Sequence, residues 1–411
     1  MSEWREVKLK KVIKRIFSGG TPSTKREDYW GGELLWLSSG ETNKKYISDT
    51  EKKITELGAK ESSTKLAKKN SVVIASAGQG KTRGQVSFLK RDMFINQSII
   101  AIEVDEEYIL PKYLLFNLSS RYNEIRILSD ASSSRGSITT GFLNKLTISV
   151  PNINTQKKIV NILSGYDELI ENNNRRIQIL EQTAEELYKE WFVRMRFPGY
   201  EKTKFDKGIP EGWEVTKIGD LFNVSSSKRV YSSDYVESGI PFYRSKEVIR
   251  LSNGESISDL LYISENKYME FKRKFGVPNR NDILITSVGT IGIPLLITND
   301  NPFYFKDGNL TWIQSSSNPF LSYYLYCWLK SDIGYQSLSM FTIGTSQSAL
   351  TITNLKRLKL LLPDETLLYK FNNLFEDLNT KINNLNQQNQ TLIKQRDLLL
   401  PRLMNGTITV K

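Results

Sequence analysis

The chain contains no histidine and a single cysteine, Cys327, among its 411 residues. Without histidine it can form neither a Ser-His-Asp triad nor a zinc site of the usual His and Cys type. One cysteine excludes an internal disulfide framework, as is typical of a reducing compartment. Carboxylate sites for magnesium remain open, but the sequence has no clustered acidic constellation typical of a nuclease. These absences favour binding over catalysis.

Long apolar segments are also missing. No run of about 18 apolar residues, the length of a membrane-spanning helix, occurs in the sequence. The beginning MSEWREVKLK lacks the apolar core of a signal peptide, so we expect a cytoplasmic protein without membrane insertion. The net charge of +12, from 57 basic and 45 acidic residues, favours a polyanionic partner, either nucleic acid or an acidic membrane surface.

The second half of the chain repeats the first. Matched positions recur about 210 residues apart: Trp4, Leu9 and Val12 as Trp213, Ile218 and Leu221, and Leu143, Leu146 and Ile148 as Leu355, Leu358 and Leu360. Short β-rich runs such as SVVIAS and DILITS, bounded by turn residues, indicate mixed α and β structure in both halves. We therefore predict an α+β protein with a globular domain at 1–152, a long helix at 153–197, a linker and a second globular domain at 198–362, and a second long helix with a C-terminal tail at 363–411.

The helical segments each carry a heptad seam, with apolar residues at alternating steps of four and three. The two seams comprise Ile159, Leu163, Tyr166, Ile170, Asn173, Ile177, Leu180, Ala184, Leu187 and Trp191, and Phe371, Phe375, Leu378, Ile382, Leu385, Asn389, Leu392, Arg396 and Leu399. An alternative is that each helix packs only on its own domain. The strict alternation instead favours an antiparallel coiled coil with pseudo-two-fold symmetry, in which Asn173 faces Asn389 and fixes the register.

One segment matches the loose form of a phosphate-binding loop. Ala75–Thr82, ASAGQGKT, follows a predicted strand, but the residues after it predict another strand where a phosphate site requires a helix. The equivalent segment of the second half, TSVGTIGI, lacks the Lys-Thr pair. Nucleotide binding therefore remains an alternative, and a loop that presents its polar residues to DNA is the favoured interpretation.

A second segment approaches a catalytic motif. Asn301–Tyr304, NPFY, resembles the Asn-Pro-Pro-aromatic motif of adenine methyltransferases but lacks the second proline. No glycine-rich cofactor loop precedes it in a strand-turn-helix context. We therefore expect it to form a turn.

Polar and basic loops interleaved with aromatic residues recur at matching places in both halves, which indicates a surface for reading DNA. The candidate DNA contacts are Thr21, Ser23, Lys25, Ser38, Ser39, Thr42, Lys44, Ser76, Gln79, Lys81, Thr82, Arg83, Ser134 and Arg135 in the first half, and Lys228, Arg229, Tyr231, Tyr243, Arg244, Lys246, Ser287, Thr290, Thr345, Ser346 and Gln347 in the second. Residues 1–150 carry 25 basic and 17 acidic groups, a net +8, against +2 from 16 and 14 for residues 210–362. The first domain should therefore attract phosphates more strongly.

Several segments together resemble the DNA-specificity subunits of type I restriction-modification systems. They are FSGGTPST with YWGGELLWLSSGE, then LYKEWFVRMRFPGYE after the first helix, GIPEGWEV at the start of the second half, and the tail LLLPRLMNGTITV. The resemblance covers essentially the whole chain. Arg194 departs from the pattern, since that position is more often acidic in the family.

The resemblance implies a non-catalytic subunit that reads a split, asymmetric DNA sequence, one half per target recognition domain, with the helices as spacer. It implies partners in addition to double-stranded DNA: modification subunits, expected to number two, that methylate adenine with S-adenosylmethionine, and restriction subunits that translocate DNA with ATP and magnesium. No metal or cofactor is expected in this chain. A nucleotide-dependent enzyme and a coiled-coil scaffold without DNA specificity are the rival classes.

Overall fold

A computed structural model describes residues 4–78, 80–132, 136–255, 257, 259–315, 319–340 and 349–410. The part of the chain before the first long helix, called here the first domain, alternates short strands with short helices. Its elements are β1 (Arg5–Lys8), β2 (Ile13–Ser18), β3 (Trp30–Leu37), β4 (Tyr46–Ile47), β5 (Lys52–Ile54), α1 (Glu56–Lys60), β6 (Lys65–Ala67), β7 (Val72–Ala75), β8 (Val86–Leu89), β9 (Met93–Ile95), β10 (Ile99–Val104), α2 (Pro111–Ser120), α3 (Tyr122–Ser132), α4 (Thr140–Lys145) and β11 (Thr147–Val150).

The first long helix, α5, spans Ile153–Tyr188 and continues into a π-helical turn at Lys189–Val193. The second domain follows. Its elements are β12 (Phe205–Asp206), β13 (Ile209–Pro210), β14 (Glu214–Lys217), α6 (Ile218–Leu221), β15 (Asn223–Ser225), β16 (Tyr235–Val236), β17 (Ile240–Tyr243), α7 (Ser245–Ser252), β18 (Leu261–Ile263), α8 (Glu265–Phe275), β19 (Ile283–Thr286), β20 (Pro294–Leu296), β21 (Tyr304–Phe305), β22 (Leu310–Gln314), α9 (Ser322–Lys330), α10 (Asp332–Ser339), α11 (Ile352–Arg357) and β23 (Lys359–Leu362). The second long helix, α12, spans Glu365–Met404.

The two domains have corresponding sheets. In the first domain the strand orders are β2-β10-β7-β8-β4 and β5-β3-β9-β6, with β1 paired to β11. In the second domain they are β15-β22-β19-β20 and β16-β18-β17-β21, with β14 paired to β23. Each domain also contains one parallel pair in its second sheet, β3 with β9 and β17 with β21. The internal duplication and the mixed α and β fold predicted from the sequence are confirmed.

The duplication extends to individual hydrogen bonds. Leu9 donates its amide to the Leu146 carbonyl at 2.8 Å, as Ile218 does to Leu358 at 2.9 Å. The hydroxyl of Thr139 caps α4, and the hydroxyl of Thr351 caps α11 in the same way. Side-chain oxygens also cap the two long helices: Asn152 accepts from the Thr155 amide at 2.9 Å, and Asp364 accepts from Leu367 at 3.0 Å. These caps satisfy amides that a helix start leaves free, so the sequence repeat fixes where the helices begin.

The chain divides into two compact units, Met1–Glu171 with Asn389–Lys411 and Asn172–Gln388. Each unit therefore contains one domain and a segment of each long helix. In the first unit, Leu163 of α5 and Leu403 of α12 are buried in the same core as the first sheet. In the second unit, the rings of Tyr188 and Phe371 lie 6.4 Å apart in the core.

The long helices run antiparallel within each unit, and every seam residue is buried or half-buried. In the second unit, Asn173 donates a long hydrogen bond of 3.5 Å to Gln388, and the helices continue in opposite directions to the contact between Tyr188 and Phe371. In the first unit, Asp167 pairs with Arg396 at 2.8 Å. The antiparallel coiled coil predicted from the seams is confirmed.

Within the described residues, no helix is long and apolar enough to cross a membrane.

Candidate nucleic-acid interface

In the first domain the predicted loops lie at one edge, because the strands that carry them end there. The pairings of Ser18 with Ile100, of Ala75 with Ile99 and of Ile74 with Val86 place the ends of β2 and β7 beside the starts of β10 and β8. The parallel strands β3 and β9 also end together, at Leu37 and Ile95. We call the loops at 19–26, 38–45, 76–85 and 96–98 the strand-end edge of the first domain.

Hydrogen bonds join these loops to one another. The Gly20 amide donates to the Ile95 carbonyl at 3.0 Å, and the Thr21 hydroxyl donates to the Gln97 side chain. Ser76 donates its amide to Ser98 at 2.8 Å. The edge is therefore a connected surface.

The exposed cations of this edge include three lysines and Arg26, and Arg26 pairs with Asp28 at 2.6 Å. Lys25, Lys44 and Lys81 are exposed, and their ammonium groups form no ion pair with the residues that the structure describes. Ser23 is exposed beside them, and Thr21, Ser38, Ser39 and Thr82 are half-buried. Ammonium groups without a carboxylate partner are suited to phosphate contacts.

Arg83 is held inside the fold. Its guanidinium is paired with Asp130 at 2.7 Å and donates to the Gly136 carbonyl, which leaves the side chain 11% exposed. The sequence placed Arg83 among the DNA contacts; in the structure the side chain instead ties the 76–85 loop to the segments that follow α2.

The described residues of the ASAGQGKT loop, which exclude Gln79, are not followed by the helix that a phosphate-binding loop requires. The loop leads into β8 at Val86, so no helix N-terminus lies behind it. Arg126 donates to the carbonyls of Gly80 and Arg83, and the Tyr122 hydroxyl donates to the Lys81 carbonyl at 2.7 Å. These hydrogen bonds hold the loop through its backbone carbonyls. A phosphate-binding loop instead directs its backbone amides toward the phosphate.

Three predicted contacts have buried side chains. Thr42 is 2% exposed and donates to the Ser39 carbonyl at 2.7 Å. Ser76 is buried, and so is Ser287, whose hydroxyl lies 2.7 Å from that of Thr311. The structure places these side chains inside the fold, where they contact the loops that carry them.

The second domain repeats the arrangement. The Ser226 hydroxyl donates to the Leu310 carbonyl at 3.0 Å, and the Ser287 amide donates to the Asn309 carbonyl at 2.8 Å. The Lys306 amide donates to the Tyr243 carbonyl at 2.9 Å, which joins the ends of the parallel strands β17 and β21. The loops at 226–234, 244–246, 287–293 and 306–309 form the strand-end edge of the second domain.

The side chains at this second edge differ from those of the first. Tyr231 is 63% exposed, and the exposed Arg229 pairs with Asp307 at 3.0 Å. Lys228 lies 5.0 Å from the centre of the Phe275 ring, and Thr290 is exposed. A shallow cleft runs along this part of the edge, lined among others by Arg229, Tyr231, Lys306 and Asn309.

Arg244 and Glu247 form a partly buried pair. Two guanidinium nitrogens of Arg244 lie 2.8 and 3.1 Å from the carboxylate oxygens of Glu247, and Lys246 lies 3.5 Å from the same group. Burial alone would raise the pKa of Glu247, but the hydrogen bonds from Arg244 outweigh it and lower that pKa. The same hydrogen bonds raise the pKa of Arg244. Lys246 remains exposed, whereas Arg244 is committed to Glu247 and Tyr243 is stacked on Phe303 at 4.7 Å.

Sequence reasoning missed the loops that follow β9 and β21. Asn96, Gln97 and Ser98 lie at the first edge, and Lys306 and Asn309 lie at the second. Their position depends on parallel pairing with strands more than 50 residues earlier in the chain. The signal available in the sequence was only the repeated position of a polar segment after a short apolar run.

Several predicted residues lie outside the described part of the chain: Gln79, Ser134, Arg135, Thr345, Ser346 and Gln347. The NPFY segment is described. Residues 301–303 form an irregular segment and not the expected turn, and Tyr304 begins β21, where its buried hydroxyl accepts from the Lys228 amide at 2.9 Å. Among the described residues, no group of acidic or cysteine side chains could hold a metal ion.

The two seam asparagines are both buried: 7% of the surface of Asn173 and 6% of that of Asn389 is exposed. Asn173 contacts Gln388, the residue before Asn389. Each seam therefore buries one asparagine, a residue type that favours a single register when it is buried in a coiled coil.

Comparison with known proteins identifies the family. The model of the type I restriction modification DNA specificity domain matches residues 1–182 and 210–392. The MjaIX specificity subunit of a type I restriction enzyme from Methanocaldococcus jannaschii is 30% identical over 423 residues, which cover 100% of this chain and 94% of that protein. The EcoR124I/EcoR124II specificity subunit from Escherichia coli is 34% identical over 160 residues, 38% of this chain and 39% of that protein.

A solved structure has the same fold. The S subunit of a type I restriction-modification system from M. genitalium aligns with a TM-score of 0.60 at 18% identity, over 98% of this chain and 96% of that chain. The matched segments coincide with the two halves of the internal repeat. The chain therefore belongs to the family of type I restriction modification DNA specificity domains, of which it carries two copies.

Proposed function

We propose that the chain is the specificity subunit of a type I restriction-modification complex and that each domain reads one half of a split DNA site. The observation that supports this most directly is the repetition of a strand-end edge in both domains. Each edge collects polar and basic side chains from loops far apart in the sequence. Such a surface suits the combination of phosphate and base contacts by which proteins read DNA.

The two edges favour different kinds of contact. Lys25, Lys44 and Lys81 of the first edge are suited to phosphates, in keeping with the +8 charge of residues 1–150. Arg229 and Tyr231 of the second edge combine a neutralised guanidinium with an exposed ring. Because the side chains differ, we expect the two half-sites to differ and the full site to be asymmetric.

The long helices would set the distance between the half-sites. Helix α5 has 36 residues, a length of about 50 Å at 1.5 Å per residue. Two similar domains that must reach one face of the duplex require half-site centres about one helical turn apart, roughly 10 bp. The helices would therefore serve as a ruler.

The chemistry would belong to partner subunits. Modification subunits, expected to number two, would methylate adenine with S-adenosylmethionine, and restriction subunits would translocate and cleave DNA with ATP and magnesium. The recognition domains would hold the duplex so that a modification subunit can flip the target base. The chain itself would be non-catalytic and would bind no cofactor.

Reconstitution tests this function. The chain alone should bind DNA in a salt-dependent way, bind no ATP, and transfer no methyl group. Together with its modification subunits it should direct methylation to defined sites. Specific ATP binding by the isolated chain would support the nucleotide-dependent alternative, and a lack of salt-dependent DNA affinity would support the scaffold alternative.

A further inference from the structure

A buried carboxylate of the first unit is contacted by three hydrogen-bond donors. Asp167 lies on α5 and its side chain is 5% exposed. Its oxygens lie 2.8 Å from the Tyr46 hydroxyl, 2.7 Å from the Lys45 ammonium and 2.8 Å from the Arg396 guanidinium of α12. Both helices and the domain therefore meet at one side chain.

Two of these donors end a loop of the strand-end edge. Lys45 and Tyr46 directly follow Lys44 and the 3-10 segment Ser39–Asn43, which packs along β7 and β8. The Ser87 hydroxyl donates to the Lys44 carbonyl at 2.7 Å from the other side. The exposed Lys44 is thus one residue away from an attachment to the helices.

The charges of the network balance. Arg396 also pairs with Asp397 at 2.8 Å, so two cations face two carboxylates. The Lys45 ammonium lies 4.4 Å from the centre of the Phe116 ring, and burial lowers the pKa of Lys45 although Asp167 partly offsets it. Loss of the Asp167 charge would leave Lys45 and Arg396 with a single carboxylate, which is unfavourable in a site that is largely closed to water.

In the second half the positions equivalent to Asp167 and Arg396 carry no charged side chain. By the shift of 212 residues between the seams, Asp167 corresponds to Asn379 and Arg396 corresponds to Ala184. Both replacements line a cavity of about 580 Å³ within the second unit. There the polar contacts between the domain and α12 include the exposed pair of Arg280 and Glu376 at 2.9 Å and the Thr298 hydroxyl, which donates to Asn383 at 3.4 Å.

We propose that Asp167 is a positioning residue for the first half-site: it fixes the loop that carries Lys44 against the two helices, and the second half-site is read without an equivalent clamp. This inference rests on the function proposed above. Since Lys45 and Tyr46 belong to the same chain segment as the reading loop, a change at Asp167 displaces that loop without touching DNA itself. The clamp makes discrimination at the first half-site depend on the helix pair.

The test uses the full chain with its modification subunits and two DNA libraries, each randomised in one half-site. Asp167→Asn keeps the size of the side chain and removes its charge. Discrimination between correct and incorrect bases should fall about tenfold in the first half-site, the equivalent of one strong polar contact, and remain unchanged in the second. Tyr46→Phe removes one hydrogen bond, keeps all charges and folds with less risk, so it should give a loss of about threefold in the same half-site.

The matched control is Glu376→Gln, which breaks the exposed pair in the second half and should leave both half-sites unchanged. An equal loss in both half-sites, or none in either with both variants, would overturn the clamp while leaving the proposed function intact. A wild-type complex without sequence-selective methylation would overturn the proposed function and the clamp together.

Discussion

Basic side chains at the two strand-end edges differ in what holds them. Lys44 and Lys81 are exposed without a carboxylate partner among the described residues, whereas Arg83 and Arg244 are bound to Asp130 and Glu247. A lysine without an ion pair can contact a phosphate directly, whereas an arginine in an ion pair must first break its hydrogen bonds to the carboxylate. We therefore expect the unpaired lysines to contact phosphates and the paired arginines to hold the loops in place.

The free lysines of the first edge should contribute to DNA affinity through counterion release. Replacing Lys44 and Lys81 together by Ala should weaken binding at all sequences and reduce the slope of log K against log salt by about 2, since each phosphate contact contributes about 0.9. Binding titrations over a range of salt concentrations measure this slope.

The matched control replaces Lys10 and Lys11 by Ala. These exposed lysines precede β2 and lie at the opposite end of that strand from the edge. Their removal should leave the slope nearly unchanged. Equal slopes for both double variants would remove the first strand-end edge as the phosphate-binding surface.

Arg83 should matter for stability more than for DNA contact. Arg83→Ala leaves the Gly136 carbonyl without this donor and should lower the free energy of unfolding by about 1–2 kcal/mol. Denaturant unfolding measures the change, with the exposed Lys81→Ala as control. Unchanged stability combined with a loss of base discrimination would instead return Arg83 to the DNA contacts.

Side-chain direction is the part of the candidate site that the sequence could not supply. Polar composition and repetition predicted the loops, and in each domain described loops among them lie at one edge of the sheets. Thr42, Ser76 and Ser287 nevertheless point inward: Thr42 lies in the 3-10 segment that packs along β7 and β8, and Ser76 and Ser287 directly follow fully buried strands. Which face is buried depends on the sheet behind the loop, and that sheet is assembled from strands distant in sequence.

At the scale of elements, the long helices were predictable and the sheet order was not. The seam residues repeat every seven residues and require only local information, so the helices and their antiparallel pairing followed from the sequence. Arg396 is a charged residue in a mostly apolar seam, and in the structure it pairs with Asp167. Strands such as β4 and β21 have two residues each, too few to show a periodic pattern.

The helix pair provides a test of the ruler. A heptad inserted into α5 alone, near residue 175, shifts the register between contacts such as those of Asp167 and Tyr188 and should abolish activity. Heptads inserted into both helices, near residues 175 and 387, preserve the register and add about 10 Å, or about 3 bp of duplex. Mapping of methylated sites should then show unchanged half-sites and a longer spacer.

A paired insertion that alters the bases of a half-site while the spacer stays the same would contradict the ruler. The single insertion serves as the control for the register, because it has the same composition with only one helix lengthened. Full activity of the single insertion would mean that the antiparallel seam does not set the spacing.

At the scale of the whole molecule, duplication gave two domains of one fold and divergence gave them different surfaces. Corresponding hydrogen bonds, such as those of Leu9 and Ile218, retain the framework. The strand-end edges differ in charge and in aromatic content, and the Asp167 network exists in the first unit, with Asn379 at the equivalent position of the second. A molecule built in this way is suited to read two unlike sequences with one fold.

The assignment of one half-site to each domain is tested most directly by sequencing every site that the reconstituted complex methylates in a random DNA library. The wild type is compared with the double variant Arg229→Ala, Tyr231→Ala. The wild type should give two short, unlike blocks of defined bases separated by a spacer of fixed length and free sequence. The double variant should relax one block, at a cost of about 1–3 kcal/mol for each lost base contact, and leave the other block and the spacer unchanged. A single continuous block for the wild type, or equal relaxation of both blocks by the variant, would contradict the assignment of one half-site to each domain.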